Sequence, residues 1–265
     1  MATKQRVFTL SCLRLNYLVD LLRSLVDREM KLLYKRSALG VAWTLISPLL
    51  QLAVFAFVFQ QVLPVDIPRY ASYVFTGLLV WNWFQSSLFQ ASGVIIANRP
   101  LIRQPGFPNG ILPVVTVTTG LIHFVLALPV LLVFLLLDGV KLQLVVLWLP
   151  VIQLIQFTFI VSLAYLFAAL NVTFRDTQHT LGVVLQLLFY LTPIFYDIPS
   201  VPGGWQSLYF LNPMVHIVTA YRSIFLLGIP PSSLALGIIT LTVFLLLPIG
   251  YYIFQHQSDH FVEEI

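Results

Sequence analysis

Long stretches of this chain carry no Asp, Glu, Lys or Arg, and no other feature restricts its fold as strongly. A helix needs roughly 20 apolar residues to cross a bilayer core of about 30 Å. Only 9% of the residues are charged, whereas soluble domains average about a quarter, and so few charges cannot cover a surface that faces water. The sequence therefore predicts an all-α integral membrane protein. Its six expected transmembrane helices are the apolar runs 37–65, 70–98, 104–137, 142–174, 177–196 and 232–254.

The segment 198–231 is apolar, but it is interrupted too often to form a straight seventh span. Five helix-breaking residues lie in it: Pro199, Pro202, Gly203, Gly204 and Pro213. Non-helical backbone is tolerated at membrane depth only where protein or a water-filled cavity covers it. We therefore predict short re-entrant gate helices between the fifth and sixth spans, with Trp205, Pro213 and Arg222 as candidate gate residues.

The distribution of Lys and Arg predicts the orientation, because cytoplasmic loops carry an excess of both. Eight lie before the first span. The loops expected on that same side add Arg99, Arg103 and Arg175, and the opposite side holds only Arg69, Lys141 and Arg222. We therefore expect both termini in the cytoplasm. The chain would be one transmembrane domain over 1–265, made of a cytoplasmic amphipathic interface helix at 1–36, a six-span region at 37–254 and a cytoplasmic tail at 255–265.

Residues 15–35 form an amphipathic pattern, which is typical of a helix lying in the plane of the membrane interface. Its apolar side, at 100° per residue, consists of Leu15, Leu18, Val19, Leu22, Leu25, Val26 and Leu33. Glu29 falls inside this apolar stripe. Two interpretations of Glu29 remain open: its carboxylate extends out to water, or it pairs with a cation such as Arg99 or Arg103. Gly40 and Pro48 are the expected places for a bend between this helix and the first span.

The sequence lacks the residues that would supply energy for transport. It has no GxxxxGK[ST] loop to hold phosphates, and the predicted spans have none of the Asp, Glu or Lys residues that couple ions in secondary transporters. It also has no GxSxG, HExxH or CxxC motif, and its single Cys12 excludes a disulfide within the chain. We therefore expect no catalytic residue, metal site or cofactor in this chain, which is not predicted to be an enzyme. A transporter of this kind must take its energy from another subunit.

Two blocks of the sequence carry a family resemblance. The first is REMKLLYKRSALGVAWTLISPLLQLAVFAFVF (Arg28 to Phe59). The second is FRDTQHTLGVVLQLLFYLTPIFY (Phe174 to Tyr196), followed by LNPMVHIVTAYRSIF (Leu211 to Phe225). In this order they resemble the first segment and the C-terminal half of ABC-2 type permeases, in particular those that export O-antigen, capsule or teichoic-acid polysaccharides.

The resemblance implies a homodimer in the cytoplasmic (inner) membrane of a bacterium, in contact with membrane lipids and with two ATPase subunits that bind ATP and Mg. It implies a lipid-linked polysaccharide as the cargo, and no nucleic acid. The segment 98–108 would contain the coupling helix, which docks into the ATPase. The coupling candidates are Arg99, Leu101, Ile102 and Arg103, together with Glu29 of the interface helix.

Aromatic side chains of the spans are candidates for the channel lining, because an uncharged aromatic surface suits sugar rings that must slide past it. The candidates are Phe55, Phe59, Tyr73, Trp81, Phe84, Phe189 and Tyr196, and we expect the first and fifth spans of two protomers to line the channel. An ABC-2 exporter of a small molecule or a lipid is the alternative. A proton-coupled carrier is disfavoured because the spans lack carboxylates.

Overall fold

The computed structural model describes residues 2–35, 39–141, 143–258 and 260–264, without the side chains of residues 2–15, 41, 262 and 263. This part of the chain is helical and has no β-strand, which confirms the predicted all-α class. Its α-helices are α1 (Ala2–Tyr34), α2 (Trp43–Phe57), α3 (Tyr70–Ala97), α4 (Arg99–Ile102), α5 (Ile111–Leu137), α6 (Leu149–Thr173), α7 (Thr177–Tyr190), α8 (Gly203–Phe210), α9 (Pro213–Arg222), α10 (Ser233–Ser258) and α11 (Phe261–Glu264). Short 3-10 helices lie at Gly40–Ala42, Leu144–Trp148 and Ile198–Ser200, and π-helical turns at Val58–Val62 and Ser223–Leu227.

Four helical segments of the described chain are long and apolar enough to cross a membrane. They are Trp43–Val62, Ile111–Leu137, Leu144–Thr173 and Ser233–Ser258, and they agree with the predicted first, third, fourth and sixth spans. The helices Gly203–Phe210 and Pro213–Leu227 meet at an angle of 93°, and would add a fifth crossing only if together they formed one span. Length and composition therefore give four or five spans, where the sequence analysis predicted six.

Helix α3 coincides with the predicted second span, and it forms the centre of the molecule. It packs against α2, α5, α6, α7 and α9. Val74, Phe75 and Trp81 are completely buried. Its 28 residues extend over about 42 Å at 1.5 Å per residue, which is enough to cross a bilayer. It is not among the four apolar segments because Asn, Gln and Ser residues are frequent in its second half.

Helix α7 is much shorter than the predicted fifth span at 177–196. It ends at Tyr190 after 14 residues, a length of about 21 Å that falls short of a bilayer core. Pro193 explains this early end, because proline disfavours the helical conformation in the residue before it. The Thr192 hydroxyl donates to the Leu188 carbonyl at 2.7 Å, which gives one carbonyl of the last turn a partner.

Helix α1 begins at Ala2 and is 33 residues long, and the amphipathic pattern at 15–35 covers its C-terminal part. It packs against α5. Leu25 and Val26 are buried and Leu18, Leu21, Leu22 and Met30 pack against the core. The apolar stripe is rotated slightly from the predicted one, since Val19 and Leu33 are exposed, and the side chain of Leu15 lies outside the described residues. Gly40, one of the two residues at which a bend is predicted, has a φ of +49°, whereas Pro48 lies inside α2 without ending it.

Candidate functional site

An aromatic cluster connects α2, α7 and the loop after α7. The ring centroid of Phe195 lies 5.1 Å from that of Phe55, 5.2 Å from that of Phe59 and 5.9 Å from that of Phe189. The first two pairs are stacked. Three of the predicted channel aromatics therefore meet around one residue, Phe195, which the sequence analysis did not single out. The feature of the sequence that could have identified Phe195 is its position directly before Tyr196, which was a candidate.

Tyr196 extends this cluster towards α3 and α8. Its hydroxyl donates to the Tyr190 carbonyl at 2.8 Å and lies 3.2 Å from the Tyr209 hydroxyl. The Tyr73 hydroxyl donates to the Tyr196 carbonyl at 3.1 Å. These bonds add hydrogen-bonded contacts between the loop, α3 and α8 to the ring contacts of the cluster. We define the aromatic cluster as Phe55, Phe59, Phe189, Phe195 and Tyr196.

Two of the three channel candidates outside the cluster, Trp81 and Phe84, lie in the packed interior of the chain. Trp81 is completely buried and Phe84 nearly so. The Trp81 ring contacts Phe189 at 5.9 Å, and the Phe84 ring stacks on Phe159 of α6 at 5.8 Å. The Trp81 indole donates to the Gln85 side chain at 2.6 Å. Trp81 therefore packs against the aromatic cluster through Phe189, and Phe84 packs behind Trp81 at a ring distance of 5.3 Å.

The predicted gate residues lie in and beside a sharp corner between α8 and α9. Trp205 of α8 is exposed, and Pro213 occupies the first turn of α9, where proline is well tolerated. The Asn212 side chain caps α9 by accepting from the Met214 amide at 3.0 Å. Its amide nitrogen also donates to the Thr192 hydroxyl at 3.0 Å. The corner is thereby tied to the loop that carries the aromatic cluster.

Arg222, the third gate candidate, is buried within the chain. Its guanidinium donates to the Pro193 carbonyl at 2.6 Å, to the Ile194 carbonyl at 2.7 Å and to the Tyr73 carbonyl at 3.3 Å. Its central carbon lies 3.4 Å from the centre of the Tyr73 ring. One side chain of α9 thus joins α3 to the loop at 193–196. Arg222 therefore acts as an internal tie between α9, α3 and this loop.

The predicted coupling helix corresponds to α4, a single turn. Pro100 lies in its first turn, and Ile102 is buried within the chain, while Leu101 is half-buried. Of the two apolar coupling candidates, only Leu101 is therefore accessible to a partner, because Ile102 is packed in the interior of this chain. Arg103 is exposed and Arg99 is half-buried. Of the charged candidates, Arg103 is thus the one that a partner reaches most easily.

Glu29 is half-buried in the apolar stripe of α1. Burial raises the pKa of its carboxyl group, and the neighbouring Arg28 partly offsets this increase. Among the described side chains no ion pair joins Glu29 to Arg99 or to Arg103, so the pairing considered from the sequence is not formed within this chain. Burial without a cation partner favours the protonated carboxyl. Glu29 and the coupling turn are therefore separate features.

A family model described as an ABC-2 type transporter matches residues 20–226. The chain belongs to this family. The match includes α4, the aromatic cluster and the corner between α8 and α9, so every part of the site described above lies within the ABC-2 region. Both blocks that carried the resemblance in the sequence also fall in the matched region. The chain is accordingly a subunit of a membrane transporter.

Curated ABC-2 relatives resemble this chain over nearly its whole length. It is 37% identical to the O-antigen export system permease protein RfbA of Myxococcus xanthus over 92% of this chain and 95% of the relative. It is 32% identical to the protein of the same name from Klebsiella pneumoniae, over 94% and 96% of the two chains. It is 22% identical to the polysialic acid transport protein KpsM of Escherichia coli, over 88% and 91%.

Proposed function

We propose that this protein is the membrane-spanning permease subunit of an ATP-binding-cassette exporter that moves a lipid-linked polysaccharide across the cytoplasmic membrane of a bacterium. The observation that carries this proposal is the 37% identity over 92% of the chain to a protein named as an O-antigen export permease. Because the similarity covers both ends of the ABC-2 region, it supports the same type of cargo as well as the same family.

The aromatic cluster supports a channel formed by two copies of the chain. It lies on α2 and α7, the helices of the predicted first and fifth spans, and both helices also expose apolar side chains beside it. Val54 and Phe57 of α2 and Leu187 and Tyr190 of α7 are more than half exposed. In a homodimer a second copy would cover part of this surface. The rings of the two clusters would then face a shared path.

The energy for export would come from two separate ATPase subunits. This chain has no phosphate-binding loop, so ATP and Mg would be bound by the partner. The exposed Arg103 and half-buried Leu101 of α4 would dock into the ATPase, with α1 beside them at the cytoplasmic surface. The termini would both be cytoplasmic. This arrangement requires six spans. The helix α3 and the segment 177–196, in which the loop at 191–196 continues α7, would cross in addition to the four apolar segments, and α8 and α9 would be re-entrant gate helices.

The proposal is tested by deleting the gene in its own host and restoring it on a plasmid. We expect the deletion to remove long-chain polysaccharide from the cell surface and to leave internal polymer behind, and the plasmid to restore surface display. An inactive ATPase partner should give the same defect with the permease still in the membrane. Normal surface polysaccharide in the deletion strain would overturn the proposal, and a change limited to drug sensitivity would indicate a small-molecule exporter.

A further inference from the structure

A cavity of about 400 Å³ lies between α2, α3 and α5, apart from the aromatic cluster. This volume is within the range of small-molecule binding sites. Trp43, Phe89 and Phe124 supply aromatic surface to its wall, and amide and hydroxyl side chains supply polar groups. The lining contains no Asp, Glu, Lys or Arg. We call it the polar cavity.

The polar wall of this cavity is one face of α3. Asn82, Gln85, Ser86 and Gln90 all line it, at spacings of three or four residues that place side chains on the same side of a helix. The same residues make α3 less apolar than the four helical segments that are apolar enough to cross a membrane. A polar side chain in an apolar environment is costly unless it is hydrogen-bonded. The grouping of these amide side chains around one cavity therefore indicates that the cavity holds a molecule that forms hydrogen bonds.

Hydrogen bonds within the chain leave part of this polar face unused. The Asn82 amide nitrogen donates to the Gln51 side chain at 3.3 Å, and the Gln85 side-chain oxygen accepts from Trp81 at 2.6 Å. The Gln85 amide nitrogen and the Asn82 side-chain oxygen remain available for a ligand. Gln90 makes no hydrogen bond to any described atom. The cavity thus offers both donors and acceptors, all of them uncharged.

We propose that the polar cavity binds a sugar unit of the exported chain, with an aromatic ring against the sugar face and the α3 amides on its hydroxyls. This inference rests on the proposed function for the identity of the cargo. A sugar carries donors and acceptors around an uncharged ring, which matches the lining. A phosphate group would call for Lys or Arg, and an acyl chain would leave the amides without partners.

The position of the cavity relative to the aromatic cluster supports this role. Thr44 and Pro48 line the cavity, and Gln51 and Phe55 continue along the same face of α2 at helical spacing. Phe59 follows one turn later, in the π-helical turn Val58–Val62. Gln51 is bonded to Asn82 of the cavity wall, and Phe55 and Phe59 belong to the aromatic cluster. A sugar leaving the cavity along α2 would therefore pass from hydrogen-bonding groups to stacked rings.

The test is a photo-crosslinking experiment in cells that make the polymer. Phe89 lines the cavity, and its side chain is partly exposed, so p-benzoylphenylalanine can replace it with little disturbance. After irradiation we expect a ladder of permease adducts that reacts with antibody against the polysaccharide. Val125 of α5 is exposed outside the cavity and is the matched control position, where we expect no ladder. A second reporter at Phe195 follows the aromatic cluster.

Substitutions in the cavity wall then test the hydrogen bonds. Gln90→Leu and, separately, Asn82→Leu should each reduce the polysaccharide adduct at position 89 by about threefold to tenfold, the effect of one lost hydrogen bond. Gln153→Leu, the same change on α6 outside the cavity, should leave the adduct unchanged. Gln90 is exposed and unbonded among the described atoms, so its replacement leaves folding intact, which equal amounts of membrane-inserted protein would verify.

The outcomes separate this inference from the proposed function. Polymer adducts at position 195 without any at position 89 would overturn the polar cavity as a sugar site and leave the exporter role in place. Adducts at position 89 with phospholipid alone would overturn it as well. Adducts at position 89 that disappear in a strain lacking polymer synthesis would support it. If surface polysaccharide does not depend on the protein at all, the proposed function fails first.

Discussion

At the scale of single residues, Arg222 ties together three separate parts of the site. Each hydrogen bond to a charged group contributes about 1.5–3 kcal/mol, and a lysine cannot reproduce the planar fork of the guanidinium. We therefore expect Arg222→Lys to lower the free energy of unfolding by at least about 3 kcal/mol. Thermal unfolding of the purified protein, followed by intrinsic fluorescence in lipid nanodiscs, measures the change.

Two further variants make the test of Arg222 specific. A Cβ atom added at Gly77 would lie 2.9 Å from the guanidinium nitrogen, so Gly77→Ala should destabilise the protein through the same contact. Arg175→Lys replaces an exposed arginine and should leave the unfolding temperature unchanged. Equal stability of Arg222→Lys and Arg175→Lys would show that the buried contacts contribute nothing.

Glu29 should make the docking of α1 depend on pH. Its pKa is raised in the folded protein, so its protonated form is favoured by folding. Stability from this group is fully present below the ordinary Glu value of about 4.5 and is lost as the pH rises through the higher folded pKa. We expect Glu29→Gln to remove this dependence and to slow amide hydrogen exchange in residues 18–34 near pH 7.

The comparison for Glu29 is Asp27→Asn, which neutralises an exposed carboxylate two residues away. Each variant is compared with the unmodified protein at the same pH, so the intrinsic exchange rate cancels. Equal pH dependence in Glu29→Gln and in the unmodified protein would contradict the effect of burial.

The sequence shows where such residues lie but not what they contact. Arg222 is the single cation of a broken apolar segment, and this singled it out as important. Its ligands are backbone carbonyls of Pro193, Ile194 and Tyr73. Because every residue carries a carbonyl, no pattern distinguishes these three, and Tyr73 is 149 positions away. The position of Glu29 within an apolar stripe was predictable, since helical spacing alone defines the stripe.

At the scale of helices, the contact between α6 and α10 depends on a glycine. A Cβ atom added at Gly250 would collide with the backbone carbonyl oxygen of Ser162, and backbone cannot move aside as a side chain can. Overpacking of this type typically costs about 1–3 kcal/mol. We expect Gly250→Ala to lower the unfolding temperature in nanodiscs and the yield of the folded protein.

Helix α10 provides its own control for this prediction. A Cβ atom added at Gly237 meets nothing within 4 Å, and alanine is a better helix former than glycine. Gly237→Ala should therefore be neutral or slightly stabilising. A loss of stability in Gly237→Ala as large as that in Gly250→Ala would mean that the contact between the two helices is not the cause.

The helices themselves were predictable to different extents. Strongly apolar runs located α5, α6 and α10 close to their observed bounds, because composition alone marks them. The predicted span at 177–196 ignored Pro193, and the helix stops at Tyr190. Phe195 was missed because loop geometry, not periodicity, brings it onto α2.

At the scale of the whole molecule, the site joins parts of the chain that are distant in sequence. The aromatic cluster joins the segment of α2 to α7 and to the loop at 193–196. Arg222 of α9 connects this loop to α3. The polar cavity lies against the N-terminal half of the same α2 face. The coupling turn α4 comes directly after α3. A movement of α4 imposed by an ATPase would therefore act first on the central helix, which carries both the cavity wall and the Tyr73 contact to Arg222.

The aromatic cluster should be needed for export but not for assembly with the ATPase. Phe55→Ala and Phe59→Ala in one chain remove two of the rings stacked on Phe195 and leave Arg103 untouched. We expect surface polysaccharide to fall several-fold while the permease still co-purifies with its ATPase, because the variant loses the stacked surface that we propose guides the sugars. Arg103→Glu should do the reverse, abolishing co-purification with the cluster intact.

The control for the cluster is Phe244→Ala, which removes an exposed ring from α10, where lipid contact is expected. It should change neither export nor co-purification. Export that continues at the normal level without Phe55 and Phe59 would rule out the cluster as a guiding surface. Loss of co-purification in the same variant would instead assign these rings to folding or assembly, since a channel surface has no reason to affect a partner bound at α4.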